Sequence, residues 1–153
     1  MGLFSKGTKS TSAPFDPTWP AQDPNWARTP KGRFHNLITF DPAAAGLSGM
    51  SGVFVVWHGG VKPHWVYVDR SDNLAGAIDA ILDNEEVLSF HRRGGLFVTW
   101  SSINKGYQDG VVRYLHHTMK PKVENSGVND TVKPVAVKVP GAKDDETEAA
   151  PAG

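Results

Sequence analysis

The apolar run Gly52-Val53-Phe54-Val55-Val56-Trp57 constrains this chain more than any other feature. It is rich in β-branched and aromatic residues and is broken at once by Gly59-Gly60. A run that short and that apolar makes a buried strand. A second strand, His64-Trp65-Val66-Tyr67-Val68, follows after Pro63. So short a connection makes the pair an antiparallel hairpin.

Ser71 then offers a helix N-cap, with Asp72 beside it at the positive end of a helix dipole. Leu74, Ile78, Ile81 and Leu82 recur on one helical stripe. Asn84 offers a cap for a short second helix carrying Val87, Leu88 and Phe90 inward. His91-Arg92-Arg93 suits a helix C-terminus, and Gly94-Gly95 stops it. Leu96-Phe97-Val98-Thr99-Trp100 reads as a third strand. A last helix runs from about Gln108 to Met119, with Val111, Val112, Leu115 and Met119 on one face and Pro121 ending it. The order is β-β-α-α-β-α. The fold class expected is α+β: a small three-stranded antiparallel sheet with flanking helices. Trp57, Trp65 and Trp100 supply large buried area to a small core.

The flanks read differently. Five of the 11 prolines lie between Pro14 and Pro30, so 1–33 is expected to be an extended or disordered tail. Residues 34–51 form a docking segment and linker, with Phe34, Leu37, Ile38 and Phe40 on the domain and Ala43–Gly52 as its connection. Residues 52–125 are the folded domain. Residues 126–153 are expected to be a flexible acidic C-terminal tail, with Asp144-Asp145-Glu146. Val132–Val139 alternates, but its prolines leave it either disordered or an edge strand.

Charge excludes some partners. The 153 residues carry 16 basic and 16 acidic side chains, so no overall field draws a polyanion or a membrane surface. Residues 52–125 are also balanced, although Arg92, Arg93, Lys120 and Lys122 are placed to make a local basic patch. With 0 cysteines, disulfides and thiolate zinc sites are excluded. No apolar run approaches the ~18 residues of a membrane span, and no secretory core opens the chain, so a cytoplasmic location is expected.

Together the residues resemble a known family. The Gly-Val-Phe strand, Tyr67-Val68-Asp69, the helix opened by Ser71-Asp72-Asn73-Leu74, the Phe97–Trp100 strand and the last helix before Lys120-Pro121 and Asn125 are similar, in order and spacing, to the GIY-YIG nuclease domain. The resemblance covers 52–125. It implies a site in which two tyrosines and a helix arginine handle a phosphodiester and a glutamate holds a divalent metal. Phosphoryl transfer needs such charge neutralisation. Carried over, the first tyrosine position holds Phe54, the second keeps Tyr67, the arginine position is Ala77, and the glutamate falls on Val112 or Arg113. These are vestigial positions, so the resemblance implies a degenerate nuclease without catalytic residues, metal or cofactor.

Other chemistry is thin. His58 and His64 flank the hairpin turn, and His116-His117 are adjacent, but none shows metal-ligand spacing with a carboxylate. Gly59-Gly60 and Gly94-Gly95 are turn glycines, not a phosphate loop. The N-terminal segment repeats Asp-Pro-polar-Trp as Asp16-Pro17-Thr18-Trp19 and Asp23-Pro24-Asn25-Trp26. Tryptophan is the commonest binding hot spot, so these residues are candidates for docking a partner. Packing of both tryptophans on the chain's own domain is the alternative. The function expected is a non-catalytic interaction or structural protein attached through its tails to a protein partner or assembly. The alternatives are a nucleic-acid-binding protein or a divergent metal-dependent GIY-YIG endonuclease using Tyr67 and Arg70. Oligomeric state is unknown at this level.

Overall fold

A computed structural model describes residues 12–141. The elements in order are β1 (Thr18–Gln22), β2 (His35–Asn36), β3 (Gly52–His58), β4 (His64–Ser71), α1 (Leu74–Ile81), α2 (Glu85–Leu88), a 3-10 turn (His91–Arg93), β5 (Leu96–Ser101), α3 (Lys105–Met119) and β6 (Val135–Val137). The class is α+β, and 52–125 follows the expected β-β-α-α-β-α order.

The sheet is larger than the sequence suggests. It has four antiparallel strands in the order β2-β5-β3-β4, not three. The extra strand is two residues long, too short for its alternation to show, and comes from the docking segment. Phe34 and Leu37 flank it and are buried, while Ile38 points to solvent. Leu47, inside the expected linker, is also buried, and its carbonyl accepts N–H groups of Met50 and Ala75.

Alternation along β3 sends Val53, Val55 and Trp57 to one face and Phe54 and Val56 to the other. The first face packs α3, and the second packs α1 and α2 through Leu74, Ile78, Ile81 and Val87. Asn73, rather than Ser71, caps α1, its side chain accepting from the Gly76 N–H. Leu82 lies at the rim of the stripe. Asn84 caps α2 as its sequence predicts, and α3 begins three residues earlier than its stripe because Asn104 caps it.

The expectation of loose tails fails over the described residues. β1 and β6 pair in parallel as a second sheet, laid against α3 on the side away from the main sheet. Trp26 is buried, and its indole N–H donates to the Lys138 carbonyl at 2.7 Å. Ala27 hydrogen-bonds to β5 through the Trp100 carbonyl, and the Thr99 hydroxyl donates back to the Ala27 carbonyl at 2.7 Å. Arg113, one of the two positions onto which the resemblance carries a metal-binding glutamate, instead ties both flanks. Its guanidinium donates to the Val132 carbonyl at 2.8 Å and the Ala13 carbonyl at 2.6 Å. Proline content signalled irregular backbone correctly, but irregular backbone can still be packed. Residues 1–11 and 142–153, including Asp144, Asp145 and Glu146, lie outside the described residues.

The two tail tryptophans are therefore unequal. Trp26→Ala should cost about 3–5 kcal/mol, the usual penalty for emptying a buried aromatic site. Trp19 is 61% exposed, so Trp19→Ala should cost under about 1 kcal/mol. Urea unfolding of the two variants checks the difference.

Candidate functional site

Three groups of residues carry functional expectations, and the structure treats each differently. The family positions Phe54, Tyr67 and Ala77 do come together. Phe54 and Tyr67 sit on paired strands with ring centroids 6.1 Å apart, and Ala77 packs into the same cluster. What they form is apolar. Phe54 is fully buried. The Tyr67 hydroxyl donates to the Asp69 carboxylate at 3.2 Å. Burial, and then the Asp69 charge, push the Tyr67 phenol up to about 12, so it is no base near neutrality.

Among the described residues no guanidinium pairs with Asp69; Arg93 meets this side of the sheet only at Phe90, near the hairpin turn. By strand alternation Arg70 projects away from Tyr67 and Asp69. Its Nε donates to Gln108 Oε1 on α3 at 2.8 Å, and it pairs with Asp72. Lys105 also pairs with Asp72 at 3.2 Å, and its hydrogen bond leads the causes that hold that carboxyl below its ordinary value. Asp72, expected at the helix dipole, is used as a clasp between β4 and α3. Val112 faces the core beneath the opposite side of the sheet from Phe54, and Arg113 lies on the same helix. The four family positions therefore do not converge.

The tail motif is divided. Trp26 belongs to the core, Pro24 gives its carbonyl to the Ser101 hydroxyl, and the Asp23 carboxylate accepts the Asn25 N–H. Asp16 faces Lys133 at 3.8 Å, with Pro17 half-buried behind it. Trp19 alone stands out, meeting Tyr114 edge-on at 6.3 Å. On the same ribbon and helix, an apolar recess of about 420 Å³ runs between β1, β6 and α3, lined by Thr18, Tyr107, Val111 and Val135 but not by Trp19.

The third group is at the far end of the hairpin. The Gly59-Gly60 turn lies directly on Gly94, backbone against backbone. A Cβ on Gly94 would stand 2.5 Å from the Gly60 Cα, and a Cβ on Gly60 would collide with the Arg93 carbonyl. Gly94 also has φ +120, a backbone conformation that side chains disfavour. This contact carries Arg92 and Arg93 to Lys62, His58 and His64 around a recess of about 640 Å³. Among the described residues no carboxylate lines it. The sequence marked both glycine pairs as turns and Arg92 and Arg93 as a patch, but nothing in it shows that the two turns touch.

The paired histidines have a defined proton order. The Gly59 carbonyl can only accept, so His58 Nδ1 donates to it at 2.8 Å. His58 Nε2 then accepts from His64 Nδ1 at 3.2 Å. Burial, then the charges of Lys122, His58 and Arg93, hold the His64 pKa below its ordinary value, against a hydrogen bond donated to the Lys62 backbone that raises it. Among the described residues no group of three His, Cys, Asp or Glu side chains is placed to hold a metal ion.

Gly94→Ala should destabilise by about 2 kcal/mol or more, combining backbone strain with overlap. Gly95, also at positive φ but with no atom within 4 Å of a Cβ, should cost about 1 kcal/mol as alanine. Chemical denaturation separates them. The pKa values of His35, His64 and His116 all lie below 6.5, with burial the largest cause. The unfolded chain therefore binds more protons in that range. Stability should be fully present above pH 6.5 and fall as pH drops below it, which denaturant midpoints between pH 8 and pH 5 check. No protein-family model, curated protein or solved structure matches the chain, so its site is defined by this geometry alone.

Proposed function

We propose that the chain is a non-catalytic interaction protein built on a degenerate GIY-YIG-like core. One observation carries this. Where the family resemblance places tyrosine, tyrosine and arginine, this chain has a buried phenyl ring, a phenol committed to a neighbouring carboxylate, and a methyl group. Such a face offers no positive charge to a developing oxyanion, and each missing group of that kind is worth orders of magnitude in rate. Attachment to a partner falls to the surface around Trp19 and Tyr107, since Trp26 is spent on the chain's own core. Tryptophan and tyrosine exposed beside an apolar recess have the composition of an interface hot spot.

A second reading, nucleic-acid binding, is favoured by the cations at the hairpin end. Balanced charge and Asp69 oppose it, because phosphate contacts supply most affinity for nucleic acid.

Incubation of the purified chain with single-stranded and branched DNA and Mg²⁺ or Mn²⁺ should give no cleavage. Metal-dependent cleavage abolished by Tyr67→Phe would overturn the proposal. Pull-down from the native host should recover a protein that Trp19→Ala loses and Lys105→Ala retains. Recovery of nucleic acid alone, with affinity falling steeply in salt, would favour the second reading.

A further inference from the structure

We propose that the recess between the hairpin turn and the His91–Arg93 turn binds the doubly charged phosphate group of a small molecule, held by Lys62, Arg92, Arg93 and His64. The site lies at the end of β3, away from Phe54, Tyr67 and Ala77, so it stands whether or not cleavage has been lost.

The first support is charge. Lys62 from one turn and Arg92 and Arg93 from another line a single recess. None of them has a carboxylate within 4 Å among the described residues. Like charges gathered in one recess leave a local positive field that a bound anion would relieve. The second support is backbone. The convergence depends on Gly60 and Gly94 touching, an approach no other residue permits.

The chemistry of the donors selects the ligand. Two guanidinium groups offer forked, paired donors suited to the oxygens of one phosphate. His64 adds a titratable donor. With its Nδ1 proton committed to His58, its Nε2 is the nitrogen left to take a second proton, which makes the ring a cation. An open recess of about 640 Å³ has room for a phosphorylated small molecule. A nucleic-acid backbone would instead ask for cations spaced along a stripe, in a chain with net charge to attract it.

Proton linkage follows. The groups facing His64 are His58 on β3, Lys62 in the turn, Arg93 across the recess and Lys122 beyond α3. The charges of Lys122, His58 and Arg93 oppose its protonation, and the hydrogen bond to the Lys62 backbone favours it. A bound anion cancels part of that field and raises the proton affinity of His64. Anion affinity must then rise as pH falls.

The test is calorimetric titration of the full chain with inorganic phosphate, a nucleoside 5′-monophosphate, sulfate, and a 5′-hydroxyl oligonucleotide at fixed ionic strength. Saturable binding of inorganic phosphate and the monophosphate is expected. Each of Arg92→Gln and Arg93→Gln should weaken it about tenfold, the loss of one charge-assisted contact. Lys133→Gln, on the opposite flank, should leave it unchanged. A monophosphate that binds more tightly than inorganic phosphate identifies a phosphorylated metabolite, and equal affinity identifies free phosphate. Sulfate, which does not titrate in this range, should bind several-fold more tightly at pH 5.5 than at pH 8, and His64→Gln should flatten that dependence. All four variants, at exposed or half-exposed sites, should keep the parent circular dichroism spectrum. Absence of saturable phosphate binding would overturn the proposal. So would binding that the double arginine variant leaves intact, or binding of the 5′-hydroxyl oligonucleotide alone.

Discussion

The structure depends on a helix that is apolar on more than one side. α3 buries Val111, Val112, Leu115 and Met119, the stripe that meets the sheet, but it also buries Gly110, Arg113 and Tyr114. A helix covered only by a sheet leaves half its circumference to solvent. Here the β1–β6 ribbon covers the rest. Gly110 sets the distance, since a Cβ there would lie 2.5 Å from the Lys133 carbonyl. Arg113 sets the attachment, because burying a guanidinium costs several kcal/mol unless its donors are met. Two backbone carbonyls and the Phe15 ring, 5.7 Å away, meet them. Removing either flank would strip that arginine of one partner and expose the helix, so flanks and core form one energetic unit.

The same economy governs the two ends of the β3–β4 hairpin. Toward its start, polar side chains are consumed internally: Tyr67 by Asp69, and Arg70 and Lys105 by Asp72, with Gln108 buried among Ser51, Arg70 and the Ile103 carbonyl. Saturated networks of this kind rigidify a fold but have little left for a ligand. Toward its turn the balance reverses, with cations gathered and no anion supplied among the described residues. The difference between the ends, more than the sequence of either, separates the part that holds the chain together from the part available for binding.

Much of the core was legible because its signals are local. Strand composition placed β3, β4 and β5 within three residues, and the Leu74–Ile81 stripe and Asn84 placed α1 and α2. Phe54, Ala77 and the absence of a glutamate on the last helix were visible by position alone. The errors share a physical cause. β2 is two residues long, β6 three, and β1 contains Pro20, so none carries a period that local pattern can detect. The burial of Trp26 depends on Lys138, over a hundred residues away, and the apposition of Gly60 and Gly94 depends on two turns meeting in space. Arg113 looked like a lost metal ligand because its carbonyl partners belong to segments that read as unfolded. Contacts of long sequence separation decide these outcomes, and composition does not encode them.

The pairing of Thr18 with Val135 has a consequence for how such a chain is made. On the ribosome the first strand emerges well over a hundred residues before its partner. The sheet and its helices can be assembled by the time α3 is complete, yet one side of that helix stays uncovered until β6 follows. During that interval Tyr114, Val111 and the loose indoles are exposed, the kind of transient surface that chaperones engage. The closing ribbon is therefore also a record of completeness. A chain truncated by translational arrest before residue 135 would lack the partner of β1 and leave α3 open, a surface by which quality control could tell it from one that carries β6.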